Sequence, residues 1–295
     1  MKKKMILIVA IFVSALMLPV SALAENDPRD SLPGVGGVSA FVLYTRHYNG
    51  NDFYQNDNNL DDNADFDFNL TMARLIHFFD LGNDWILELD VLQPFGEIDF
   101  ESVKLGIDSN SNGIGDTVFV GHINTPWLID RETMKYGMSC GFYLTTPTGE
   151  YDNDKAVNIG ANRWAYKFEA TPVIWKVDRM VLEVTGEVQF YGDNDDYLTT
   201  SVDQEKDPLY ATQVHLSYDI TDSFWVGISH YFYSGGETEV YGKDQDDEEK
   251  TQAIRFTGAL GLSSNVVLLL QYQTETEREN GVKQDFLGAR LAYFW

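Results

Sequence analysis

The sequence predicts an all-β protein: a single antiparallel up-and-down transmembrane β-barrel of about twelve strands, with long acidic extracellular loops and short periplasmic turns. Three observations predict it. Apolar and polar residues alternate with period two in runs of about ten residues, the pattern of strands that face lipid on one side and a lumen on the other. The connections between runs are alternately short and long. The last run alternates down to a terminal aromatic residue, Trp295.

Composition narrows the classes around this fold. The chain has 295 residues, of which 44% are hydrophobic and 14% aromatic, and 46 acidic against 21 basic side chains leave a net charge of −25. So aromatic a chain is not a disordered one despite its charge. So acidic a chain lacks the basic surface that nucleic-acid phosphates require, and no nucleic-acid partner is expected. Cys140 is the single cysteine, which rules out an internal disulfide, and no CxxC or His/Cys cluster points to zinc or redox chemistry. No cofactor is expected.

The elements follow in chain order. Lys2, Lys3 and Lys4 precede an apolar run from Met5 to Leu18, Pro19 breaks it, and Ala22-Leu23-Ala24 supplies small residues for a signal peptidase. Residues 1–24 thus read as a secretory signal peptide cleaved before Glu25, too short in its apolar core to be a comfortable membrane span. Its removal takes three lysines and shifts the charge from −25 to −28. Residues 25–35 are polar and rich in Pro and Gly, unlike a strand, and either enter the lumen as a plug or lie in the periplasm. The barrel is expected over 36–295. Its runs are 36–47, 66–80, 84–95, 115–124, 135–146, 163–176, 180–192, 208–220, 223–234, 250–262, 265–276 and 283–295. Short connections at 81–83, 177–179, 221–222 and 263–264, and one longer at 124–134, alternate with polar loops at 48–65, 96–114, 147–162, 193–207, 235–249 and 277–282. A soluble β-sandwich also alternates, but it has no reason to sort loops by length or to present large apolar residues to solvent. An even strand count leaves both termini periplasmic.

The C-terminal run places Leu287, Ala289, Leu291, Tyr293 and Trp295 on one face and Arg290 on the other. Leu291, Tyr293 and Trp295 resemble the terminal signal read by the barrel assembly machinery. Aromatics such as Trp85, Phe95, Trp164, Trp175, Tyr218 and Trp225 fall at strand ends, where rings with a polar edge suit the membrane–water interface. Outer-membrane lipid and lipopolysaccharide are therefore expected neighbours.

Charges are expensive toward lipid, so alternation points them inward. The expected lumen lining is Glu88, Asp90, Lys167, Glu169, Glu183, Glu187, His215, Arg255 and Arg290. Its five acids outnumber its three bases without His215, so an open lumen is expected to prefer cations. Loop aromatics Phe53, Tyr54, Tyr151, Tyr191 and Tyr197 are the expected solute contacts at the mouth. Asp108, Asn110 and Asn112 match the first half of a calcium loop, with Asp116 at position nine, but Phe119 replaces the bidentate glutamate, so an Asn/Gly-rich turn is expected there instead of a metal site. His215-Leu216-Ser217 has the His-x-Ser spacing of barrel lipases, with no matching Asn-bearing segment after it, so no enzyme is expected.

Several motifs stand in a consistent order. They are Leu32-Pro33-Gly34-Val35-Gly36-Gly37 with Tyr44 and Tyr48 after it, then Gly113-Ile114-Gly115-Asp116, then Thr146-Pro147-Thr148-Gly149-Glu150-Tyr151. Asn158-Ile159-Gly160-Ala161-Asn162-Arg163-Trp164 and Tyr231-Phe232-Tyr233-Ser234-Gly235-Gly236-Glu237-Thr238 complete the set. Over the whole mature chain this resembles the outer-membrane transporter family named for the meta-pathway of phenol degradation. The resemblance implies residence in the outer membrane of a Gram-negative bacterium and passive uptake of small molecules, with aromatic or hydrophobic compounds as the implied cargo. The alternative is a closed barrel with a structural or surface-interaction role.

Overall fold

The structure, a computed structural model, describes residues 25–295; the expected signal peptide at 1–24 lies outside the described residues. The first part of the chain forms β1 (Ser39–Gln55), β2 (Asn58–Asp61), β3 (Asp65–Gly82), β4 (Trp85–Ser102), β5 (Ile107–Ile114) and β6 (Val118–Asn124). The middle forms β7 (Ile129–Arg131), β8 (Met134–Thr145), β9 (Ala165–Val177), β10 (Met180–Tyr191), β11 (Asn194–Tyr197) and β12 (Val202–Lys206). The last part forms β13 (Leu209–Asp219), β14 (Phe224–Gly235), β15 (Thr238–Val240), β16 (Glu249–Gly261), β17 (Val266–Arg278) and β18 (Gly281–Phe294).

Twelve of these close an antiparallel barrel in the order β1-β3-β4-β6-β8-β9-β10-β13-β14-β16-β17-β18, and β18 pairs back onto β1 from Ala40↔Phe294 to Tyr54↔Gly281. Closure leaves no unpaired edge, the condition for carrying strands through hydrocarbon. At the periplasmic end Ser39 and Trp295 exchange backbone hydrogen bonds of 2.9 and 3.0 Å. Leu291, Tyr293 and Trp295 all point outward, and the rings of Tyr293 and Trp295 stack at 5.8 Å.

Each expected run coincides with one barrel strand. The alternation arises because period-two side chains see lipid on one side and the lumen on the other. On β10, Glu183, Thr185, Glu187 and Gln189 are buried inside while Leu182, Val184 and Phe190 lie outside. The periplasmic turns are tight except between β6 and β8, where β7 folds back onto β8. Asn83 and Asp84 both have positive φ, 53° and 62°, the backbone of the two-residue hairpin turn that matches strand twist.

Two expected loops extend the barrel strands as hairpins, and two others, 193–207 and 235–249, contain short strands. Residues 48–65 continue β1 to Gln55, turn at Asn56 and Asp57 (φ 50° and 62°), and return as β2. Residues 96–114 continue β4 to Ser102 and return as β5, paired from Phe95↔Ile114 to Ser102↔Ile107. These hairpins stand above the membrane, where the outer face meets water and needs no apolar residues, so the lipid-facing half of the strand signal is absent. The correction removes the calcium-loop reading as well. Asp108, Asn110 and Asn112 lie along extended β5 opposite Glu101, Asp99 and Glu97, and oxygens spread along a strand do not wrap around one ion. Above the barrel, β11, β12 and β15 form a separate small sheet from the later loops.

Candidate functional site

The lumen is a large polar interior built from many strands at once, and the nine charged residues expected there are all buried in it. Most are paired across neighbouring strands. Arg74 on β3 donates Nε to Asp90 at 2.6 Å and Nη2 to Glu88 at 3.0 Å. Lys167 donates to Glu187 at 3.2 Å and stands 3.8 Å from Glu169, which also accepts from the Tyr143 hydroxyl at 3.1 Å. Arg46, Arg74, His122 and Glu275 also face inward and are missing from the sequence-based set. On β1 and β3 the arginines alternate with inward Val42, Tyr44, Met72 and Ile76, so that face does not read as polar. With Arg46, Arg74 and Glu275 added, the lining has six acids against five bases without the histidines.

The N-terminal segment crosses this lumen. Chain direction takes it from Ser39 at the periplasmic end up toward the middle of the barrel. Gly34 packs on Phe78 so closely that a Cβ would stand 2.3 Å from the ring, and only glycine fits there. Asn124 donates to the Ser31 carbonyl at 3.1 Å. Glu183 accepts the backbone N–H groups of Arg29 at 2.7 Å and Ser31 at 3.3 Å. The Arg29 guanidinium reaches Ser217 at 2.9 Å and Asp219 at 2.6 Å, 4.5 Å over the Trp225 ring. Asp30 accepts from Arg290 at 2.6 Å. Asp27 accepts from Arg290 at 3.0 Å, Arg255 at 2.9 Å and Gln271 at 2.7 Å, with Arg46 at 3.6 Å. Asn26 donates to Glu169 at 2.8 Å. Glu25 is paired with Arg255 and accepts from the Tyr233 hydroxyl at 2.5 Å. Beside the segment, a cavity of about 490 Å³ opens at the periplasmic mouth between Leu32, Val35, Ile76, Phe78, His122 and Phe294.

The extracellular mouth is crossed by the connection between β8 and β9. Its motif residues explain how. The Asp116 carboxylate accepts from the Gly149 N–H at 2.7 Å and the Ala161 N–H at 2.8 Å, which ties both arms of the connection to one point. Burial pushes the Asp116 carboxyl up, and the backbone donors of Ala161, Gly149 and Thr148 pull it back. A Cβ on Gly160 would stand 2.7 Å from the Gly149 backbone, so this crossing admits only glycine. Val157 then reaches into an apolar cluster of inward side chains that includes Phe53, Phe66, Phe68, Ile98, Phe100 and Phe286.

The loop aromatics expected to meet solutes are mostly part of this packing. Phe53 is buried with its ring 6.0 Å from Phe100, and Tyr197 is buried against Val240. The Tyr151 hydroxyl donates to the Asp196 carbonyl at 3.3 Å and accepts from Asn194 at 3.0 Å. Lys206 stands 5.0 Å over the Tyr191 ring, and Tyr54 is half-buried. His215 and Ser217 both face inward, but His215 Nδ1 bonds Ser229 at 2.8 Å and Ser217 is engaged by Arg29, so base and hydroxyl are not joined.

The barrel, its segment and its pinned loop can now be set beside known proteins. No curated protein matches the sequence. The solved outer-membrane channel of the COG4313 group from Pseudomonas putida F1 superposes with a TM-score of 0.87 at 26% identity, over 92% of this chain and 100% of that one. The transport unit of the autotransporter AIDA-I from Escherichia coli is similar in fold, with a TM-score of 0.53 at 10% identity over 96% of this chain and 95% of that one. The family model described as "Putative MetA-pathway of phenol degradation" matches residues 49–291. The chain belongs to that family, and it is an outer-membrane β-barrel of channel type.

Proposed function

We propose that the chain is a passive channel for small molecules whose periplasmic half is narrowed by its own N-terminal segment. The observation that carries this is a closed barrel with a polar interior through which an irregular, non-strand segment runs, held largely by hydrogen bonds and ion pairs to side chains of the barrel wall. Exported, cleaved before Glu25 and assembled into the outer membrane of a Gram-negative bacterium, the chain would meet lipid along its outward rings and lipopolysaccharide at its protruding hairpins. The barrel assembly machinery would read Leu291, Tyr293 and Trp295. The apolar cluster in the upper lumen supports aromatic or hydrophobic cargo, in keeping with the family's name. In the state described, Glu25, Asp27 and Asp30 add carboxylates to a nearly balanced wall and favour small cations. The solved channel relative supports transport over catalysis.

A second reading is a closed barrel with a structural or surface role, favoured by the loop pinned at Asp116. Planar-bilayer recording of the folded mature chain separates the two. Channel function predicts discrete conductance steps with cation-side reversal potentials, and a folded barrel that never conducts supports the closed reading.

A further inference from the structure

The lumen wall carries two kinds of cation. Arg74 and Lys167 are paired with carboxylates from the wall itself. Arg255 on β16 and Arg290 on β18 take their carboxylates from the N-terminal segment, and among the described residues the wall supplies none to either. Arg46 on β1 turns to the same two acids, Glu25 and Asp27, and Gln271 on β17 adds an N–H. Four adjacent strands thus converge donors on one place and, apart from Gln273, which accepts from Arg255 Nε at 2.9 Å, leave the acceptors, and all the carboxylates, to a separate piece of chain. Guanidiniums suit carboxylates because their planar donors match both oxygens, and charge-assisted bonds of this kind are the strong ones.

We propose that the seat filled by Glu25 and Asp27 is a ligand site for a small aromatic carboxylate, and that the segment occupies it as a built-in competitor. The proposal rests on the channel reading above and names a class of cargo admitted once the segment's own carboxylates, which favour cations while they sit in the lumen, withdraw. The rings around the seat supply the aromatic preference. Arg255 lies 4.4 Å over Tyr231, and Arg255 and Arg46 each lie 5.0 Å over Phe286. From Phe286 the aromatic surface continues to Tyr48 at 4.9 Å and from there to Phe68 at 5.5 Å. The cavity left beside Glu25 against Tyr48, Phe68, Tyr233 and Phe286 is only about 30 Å³. A benzene-sized guest takes a cavity of about 150 Å³. An aromatic ring therefore enters only when Glu25 withdraws, so solute and segment exclude each other. The incoming carboxylate replaces the charge that leaves, and the arginines are not left bare.

The test is equilibrium dialysis of labelled benzoate against the detergent-folded mature chain, with heat-shifted electrophoretic mobility as the check on folding. Glu25→Gln with Asp27→Asn weakens the competitor, and benzoate should then bind at least about tenfold more tightly than to the unaltered chain, because the competent state is no longer scarce. Asp27→Asn alone should fall between. Adding Arg255→Gln to the double variant should abolish the gain, and Arg290→Gln replaces it if that protein does not fold. Benzylamine should not compete, and acetate should compete far more weakly than benzoate. No gain in the folded double variant, or a gain that survives loss of the arginine, overturns the site. Acetate competing as well as benzoate overturns the aromatic assignment. Recording from the same proteins separates the readings: conductance without benzoate binding sinks the site alone, whereas benzoate binding to a barrel that never conducts sinks the channel and leaves the site.

Discussion

The strand β4 has two halves of opposite sense. From Trp85 to Phe95 its exposed side chains are Trp85, Leu89 and Phe95, and its buried ones include Glu88 and Asp90. From Gly96 to Ser102 the exposed side chains are Glu97, Asp99 and Glu101, and the buried ones are Ile98, Phe100 and the small Ser102. Its partner β3 does the same, with Leu75 and Phe79 outside Arg74 low in the barrel, and Asp65 outside Phe66 and Phe68 above. The pairing between the two strands runs without a shift from Asp65↔Glu101 down to Asp80↔Ile86. The backbone alone therefore sets the period of two. Which face is apolar depends on the medium outside and on what fills the inside, and both change at the top of the membrane. Below, lipid surrounds a polar lumen. Above, water surrounds a small dry core closed by the connection that carries Val157.

Three substitutions test this contrast by urea unfolding from lipid vesicles, followed by tryptophan fluorescence. Phe100→Ala empties a fully buried place in the upper core and should cost about 3–5 kcal/mol, although it lies outside the membrane. A cost near zero would mean that the upper cluster is not a packed core. Leu89→Arg puts a charge on the lipid face of the lower half and should cost about 2–4 kcal/mol, less if the site lies near the interface. Asp99→Asn changes the outward face of the upper half, which meets water, and should stay within about 0.5 kcal/mol. A large loss there would place Asp99 against lipid or a partner and would erase the distinction between the halves.

The same contrast explains what could be read from the chain. Within the membrane, lipid demands apolar residues on every second position, so twelve strands, their short turns and nine of the inward polar residues were legible from Trp85-Ile86-Leu87-Glu88-Leu89-Asp90 and its counterparts, while Arg46 and Arg74, set among inward apolar residues, were not. The residues 48–65 and 96–114 carry the same alternation with its sense reversed. Their Asn, Asp and Gly content resembles a loop, and the inward Phe53, Ile98 and Phe100 that betray the strands are recognisable only once the pairing is known. The motif Pro147-Thr148-Gly149 marked the family, but not its purpose. That purpose, an anchor on Asp116, joins residues 33 and 45 positions away from it.

What the sequence determined by itself is therefore the barrel: its topology, its membrane, the faces of its strands and the candidates for its lining. These are local properties, because each follows from a residue and its neighbours two positions away. Only the tertiary structure decided how the lumen is filled. Residues 25–37 are compatible with a periplasmic tail or a plug as a sequence, since nothing local distinguishes the two. Their place is set by Arg46, Arg255 and Arg290, which stand on strands at opposite ends of the chain and become neighbours only when β18 closes onto β1.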